Sequence, residues 1–272
     1  MRSTRGGGTH LNAPDKSLKG CKRLKNCYNS DILHHDYNGV CMKKNAFTLA
    51  EVLITLGIIG VVAALTIPTL IANHNKSVVE QKMKKFYSMI NQALILAEEQ
   101  HGDKKFWYQD INSVETDDEG NVVPGSSVVM KWWNKYMAPN VKTIEIKEDA
   151  GGLPTFYFED GTALKAVQAS YMRDWVFYTM NPSKCEKFPS SGNGVCRFYF
   201  IYMPGGPNVP PAYETTPDWQ YHVNKGFEPY KYNWDGTREG MLNNCKSGGV
   251  YCAALIQYDG WKVSDDYPLK VK

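Results

Sequence analysis

The stretch "FTLAEVLITLGIIGVVAALTIP", Phe47 to Pro68, limits what this chain can become more than any other. No charged side chain occurs from Val52 to Asn73. The 21 residues Phe47–Ile67 would make a helix of roughly 31 Å, about the hydrocarbon thickness of a bilayer. Lys43 and Lys44 stand immediately before it, which predicts that this end stays cytoplasmic. Glu51 is the anomaly. A carboxylate near the middle of a spanning helix costs about 2.5–3.5 kcal/mol on insertion scales. Near the edge it costs less, yet it still asks for a partner. A secretory signal peptide has a similar outline, but no small-x-small cleavage site follows and Glu51 has no place in it. A plain anchor gains nothing from Glu51. A snorkelling interfacial carboxylate is the plainest alternative.

Charge and cysteine both divide at this run. Residues 1–46 carry nine Lys/Arg and three Asp/Glu, whereas the rest carries 22 and 25. A basic arm for nucleic acid is the other reading of the N-terminus, but no groove-reading motif follows it, and no direct nucleic-acid partner is expected. Cys21, Cys27 and Cys41 precede the run; Cys185, Cys196, Cys245 and Cys252 follow it as two close pairs. An even set beyond a membrane crossing fits disulfides Cys185–Cys196 and Cys245–Cys252 in an oxidising compartment. Free buried thiols are the alternative. A zinc site is a poor one, because the spacings do not form CxxC pairs.

The residues "KKNAFTLAEVLITLGIIGVVAALTIP" resemble the N-terminal segment of type IV pilins and type II secretion pseudopilins. The resemblance covers about 30 residues and is highly specific. It implies a leader cut by a prepilin peptidase between Ala46 and Phe47, with methylation of the new Phe47 amine. Ala46 stands where Gly is usual. Glu51 then becomes the fifth residue of the mature chain, and Pro68 falls where a helix-kinking proline is common. The family also implies a role for Glu51: pairing with the Phe47 amine of a neighbouring subunit, since two charges tolerable together in lipid are expensive alone. The expected partners are the peptidase, other pilin or pseudopilin subunits and an inner-membrane assembly platform. Met42 followed by Lys-Lys-Asn-Ala makes an ordinary short leader, so translation is expected to begin at Met42, with residues 1–41 an upstream over-extension. A metal cluster at His34, His35 and Cys41 is disfavoured.

Ala50, Gly57, Gly60 and Ala64 recur at helical spacing and predict a small-residue face for close helix approach, although Gly and Ala are common in membrane helices anyway. Pro68 lacks a backbone donor and is expected to kink the helix or loosen one turn. From Ser77 to Glu99 the apolar positions are Val79, Met83, Phe86, Ile90, Leu94 and Ala97. Steps of three and four mark one face of an amphipathic helix. One helix is therefore expected from Phe47 to about Gln100: a transmembrane part over 47–67 and an amphipathic continuation over 68–100, stopped at His101-Gly102.

Residues 103–272 form the expected extracytoplasmic head. A short helix is predicted over Ser127–Met137. "TFYFEDGTALKAV" predicts a hairpin turned at Asp160-Gly161. "DWVFYTM" and "CRFYFIYM" read as strands, and "VYCAALIQYDGWKV" repeats the hairpin pattern at Asp259-Gly260. Residues 204–248 read as a long irregular region pinned by Cys245–Cys252. The expected fold class is α+β, an antiparallel sheet laid on the apolar face of the long helix.

No motif of catalysis stands out: there is no HExxH, GxSxG, P-loop or GxGxxG. The chain after residue 46 holds His74, His101 and His222, without metal-ligand spacing. Asp235, Asp259, Asp265 and Asp266 are candidate calcium ligands, more simply read as turn and tail residues. Trp219, Tyr221, Phe227, Tyr230, Tyr232 and Trp234 offer a binding surface, more simply read as packing. No enzyme activity and no cofactor are expected. The reading is a structural, pilin-like subunit of a type II secretion or type IV pilus-like filament, anchored once in a bacterial inner membrane with its head outside the cytoplasm. The alternatives are a minor pilin of a pilus or DNA-uptake system, and a stand-alone membrane-anchored binding protein.

Overall fold

A computed structural model of the chain describes residues 47–107, 114–168, 173–206 and 221–272. They fall into two compact units, divided between Ala63 and Ala64. The first unit is described from Phe47. It is helical from Leu49 and belongs to helix α1 (Leu49–His101, 53 residues). Every residue from Phe47 to Val62 is exposed, and Ala63 is half-buried.

The second unit begins with the rest of α1. It carries six strands: β1 (Glu145–Glu148), β2 (Pro154–Tyr157), β3 (Ala163–Ala166), β4 (Arg173–Tyr178), β5 (Arg197–Tyr202) and β6 (Phe227–Pro229). They form one antiparallel sheet in chain order. Register puts Phe156, Leu164, Phe177 and Phe198 in one cross-strand row. Ala166, Trp175 and Phe200 form the next row on the same face. Against this face α1 lays Val79, Met83, Phe86, Ile90, Ala93, Leu94 and Ala97, all buried. Phe86 stacks on Phe177 at 4.1 Å between ring centroids and meets Phe200 edge-on at 5.1 Å. Rings in these arrangements contribute beyond the area they bury. The period of burial along α1 is that of the apolar stripe in the sequence.

The opposite face of the sheet is also covered. Ala163, Val176 and Tyr178 pack there with Cys185 and Cys196. That double burial explains why β4 and β5 read as continuous aromatic runs instead of alternating with polar residues. The free edge of β6 is closed by α1: the Asn91 side chain accepts from Phe227 N at 2.8 Å and donates to Phe227 O at 3.0 Å. A side-chain amide thus takes the place of a further strand, one way of managing an open edge.

Helix α2 (Val128–Trp132) starts on Ser127, whose hydroxyl accepts from Met130 N, and passes into a π-helical turn over Trp133–Met137. This matches the expected helix. The β2–β3 turn is a three-residue loop, one residue longer than the expected two-residue hairpin. Phe158 N donates to Thr162 O and Gly161 N to Phe158 O. Gly161 takes φ +77°, so a turn followed by a left-handed glycine closes the hairpin.

Two expectations for the C-terminal part are corrected. The segment "VYCAALIQYDGWKV" is no hairpin: Cys252–Tyr258 is helix α5. Ala253, Ala254 and Leu255 are strong helix formers, and an apolar run of this length carries no period that separates a buried strand from a buried helix. Asp259-Gly260 is the turn that ends it, with Gly260 at φ +72°. The region 204–248 is also not wholly irregular. It holds β6 and helix α4 (Arg238–Gly248), capped by Thr237 accepting from Gly240 N and ended by Gly249 at φ +78°. Helix α4 buries only Met241 and Cys245, so its sequence has almost no apolar stripe to read. A short helix α3 (Pro182–Cys185) precedes β5.

Candidate functional site

The N-terminal segment is built around one local device. Thr48 N and Thr48 Oγ1 both donate to Glu51 Oε2 at 2.9 Å, and Glu51 N donates back to Thr48 Oγ1 at 3.2 Å. This is a reciprocal capping box: Thr48 is the cap and Glu51 the third helical residue. It satisfies backbone donors that the first turn of a helix leaves without intrahelical partners. Sequence reasoning assigned Glu51 no partner within its own chain, although the pattern Thr-x-x-Glu was legible. The box is compatible with a second role, because Oε1 of Glu51 takes no part in these three bonds.

Phe47, the expected new terminus, is 83 % exposed; Ala46 lies outside the described residues. A Cβ added at Gly57 or Gly60 would meet nothing within 4 Å, so the small-residue face is open within the chain. Helix α1 continues through Pro68. Among the described residues it is the one helix long and apolar enough to cross a membrane, and none of its most apolar stretch is buried by the chain.

In the head both expected disulfides are formed, Cys185–Cys196 and Cys245–Cys252. The first pins α3 to the start of β5. The second joins the end of α4 to the start of α5. Cys21, Cys27, Cys41, His34 and His35 lie outside the described residues.

The four candidate calcium ligands do other work. Asp259 and Asp266 each take a two-pronged contact from Arg238, at 2.7 Å and 2.8 Å. Hydrogen bonding to this guanidinium holds the Asp259 and Asp266 carboxyls below the usual range. Asp235 accepts from Thr237 N and Oγ1, and Asp265 pairs with Lys76. Among the described residues no three His, Cys, Asp or Glu side chains converge as a metal site.

The aromatic candidates separate. Phe227 is fully buried and stacked on Tyr202, so it is core. Trp219 lies outside the described residues. Tyr230, Tyr232 and Trp234 line a surface hollow of about 450 Å³ with Asn233, Asn244 and Tyr251. Tyr221 packs instead over a buried pair, His222 and Lys231. His222 Nε2 accepts from Lys231 N at 3.2 Å, and burial pushes its ring down to about 4. The sequence marked the aromatic residues around Lys231 but not Lys231 itself.

Comparison with known proteins agrees with this division of the chain. Residues 41–67 match the prokaryotic N-terminal methylation motif, the prepilin signal of type IV pilins and pseudopilins. Proteins bearing it are structural subunits and not enzymes; it implies processing by a prepilin peptidase and assembly with other pilin subunits. With one long apolar helix, it is consistent with a single-pass membrane anchor. Residues 69–271 match a second family, described as a family of unknown function, DUF6613. No curated protein and no solved structure matches the chain.

Proposed function

The chain belongs to the family of unknown function DUF6613, and from its prepilin-type N-terminus we propose that it is a structural subunit of a type II secretion or type IV pilus-like filament. The observation that carries this reading is the position of Glu51. It is the fifth residue counted from Phe47 and stands at the start of a helix whose first stretch, 47–62, is exposed among the described residues. Cleavage between Ala46 and Phe47 leaves an amine with an ordinary pKa of about 7.7–8.0. In a filament that cation, buried among apolar helices, is tolerated only when paired. Glu51 of a neighbour supplies the charge, and the pairing sets the axial step between subunits. Gly57 and Gly60 support close approach of the helices. The head is then the part presented outside the inner membrane, stapled by two disulfides suited to an oxidising compartment.

N-terminal sequencing and intact mass decide the processing step. In cells with an active prepilin peptidase the first residue is expected to be Phe47, methylated, and in cells lacking the peptidase it is expected to lie upstream. An uncut chain in competent cells would favour a stand-alone anchored protein.

A further inference from the structure

One group of reactive side chains inside the head is used by nothing described above. Lys231, two residues beyond β6, is 6 % exposed. Its Nζ donates to Gln257 Oε1 at 2.9 Å and to the Tyr221 hydroxyl at 2.6 Å. The rings of Tyr221 and Trp234 lie 4.1 and 5.6 Å from the same nitrogen. Gln257, on α5, donates from Nε2 to Glu228 Oε2 at 3.3 Å. Glu228, on β6, takes the Tyr87 hydroxyl on its other oxygen at 2.8 Å. The result is a hydrogen-bonded row of amine, carboxamide and carboxylate. A lysine buried for structural reasons alone usually sits directly on a carboxylate, because burying an unpaired cation is expensive. Here, among the described residues, the nearest carboxylate on the row is bonded to the amide nitrogen, and the amine is bonded to the amide oxygen.

We propose that Lys231 and Gln257 form an intramolecular amide cross-link, with Glu228 carrying the proton. Lys231 Nζ attacks Cδ of Gln257. The Nζ–Cδ bond forms and the Cδ–Nε2 bond breaks. One Nζ proton passes by way of Glu228 to Nε2, which leaves as ammonia. No electrons change hands, and no co-reactant is needed. The bond to Oε1 keeps the amine within hydrogen-bond reach of the Gln257 amide, so the two groups meet within one chain and pay no cost of encounter. The attacking form is the neutral amine. Burial pushes the Lys231 ammonium down to about 8, so neutral amine is available near neutral pH. Glu228 contacts the departing nitrogen, where a general acid must stand. The finished bond would tie the edge strand β6 to α5 and enclose α4 and the Cys245–Cys252 bridge in one covalent loop. This inference does not rest on the filament reading: a chain that is never cut or assembled would still carry the link.

Peptide mapping of the full-length protein, purified in detergent and then unfolded, reduced and alkylated, tests it. The expected result is a mass one ammonia below that required by the sequence from the observed N-terminus. Trypsin should fail to cut after Lys231, and a branched peptide should join the Lys231 and Gln257 segments. Lys231→Met and Gln257→Leu should each restore the full mass while both disulfides still form. Glu228→Gln, which keeps both reacting groups, should leave most chains unlinked. Free Lys231 and Gln257 side chains in every wild-type molecule would overturn the proposal. An undiminished yield of branched peptide in Glu228→Gln would overturn the role given to Glu228.

Discussion

Two stretches of one helix behave in opposite ways. Over Val79–Ala97 one apolar stripe of α1 recurs in steps of three and four, and the chain buries that stripe against the sheet. Over Phe47–Val62 apolar residues occupy the whole circumference, and the described residues bury none of them. Leu53, Ile58 and Ile59 are each about 60 % exposed, as side chains on a bare helix would be. Period in the sequence therefore records a one-sided partner, and loss of period records surroundings that are apolar on every side. The partner of the first stretch is part of the molecule. Among the described residues nothing covers the second.

That contrast can be broken most directly with matched truncations. Phe86→Ala should lower head stability by about 3–5 kcal/mol, the usual cost of emptying a buried phenylalanine site. Ile59→Ala should leave it within about 0.5 kcal/mol. Urea unfolding of the full chain in detergent, followed by near-UV circular dichroism, reads both. Similar losses would mean that residues 47–63 are covered from within the chain after all.

A second pair sharpens the comparison at the helix start. If Glu51 neutralises a neighbour's terminal amine, Glu51→Gln should still insert and be cut, yet enter filaments poorly. Removing one side of a buried pair costs about 3–5 kcal/mol, more than a hundredfold in association. Thr48→Val dismantles the capping box while keeping the carboxylate. It should cost about 1 kcal/mol of helix start and change incorporation only a few-fold. Equal loss of incorporation, measured by shearing or cross-linking, would make the capping box the whole reason for Glu51.

A further effect concerns the head alone. His222 is held neutral in the fold, its pKa pushed by burial down to about 4 from an ordinary 6.5. Between these values the unfolded chain binds more protons than the folded one. Stability should therefore be full above about pH 6.5 and fall as pH drops toward 4, by at most about 3 kcal/mol. His222→Gln should flatten that part of the profile. An unchanged slope in the variant would place the titration elsewhere.

What could be read in advance follows from the same physics. The stripe on α1 and the two cysteine pairs were legible because each is a local pattern with a fixed period or spacing, and β4 and β5 because aromatic and β-branched residues crowd their runs. Helix α5 was misread because Cys252–Ile256 are all buried, and complete burial erases period. Helix α4 was missed for the opposite reason, having too few buried residues to make one. The row Tyr87, Glu228, Lys231 and Gln257 had no local sign at all. Its members come from α1, β6, a turn and α5, and pairing of distant elements brings them together. Thr48 and Glu51 differ: their box spans four residues and could have been read directly.

The order β1 to β6 across the sheet also has a kinetic consequence. Each strand pairs with the one made just before it, so no strand must wait for a partner from the far end of the chain. Sheets with such local connectivity have low contact order and short search times. The two disulfides close within separations of 11 and 7 residues, so they add no long-range search either. The sheet can therefore be laid down strand by strand as the polypeptide emerges, in the direction in which it is synthesised, on a helix that is already there to receive it.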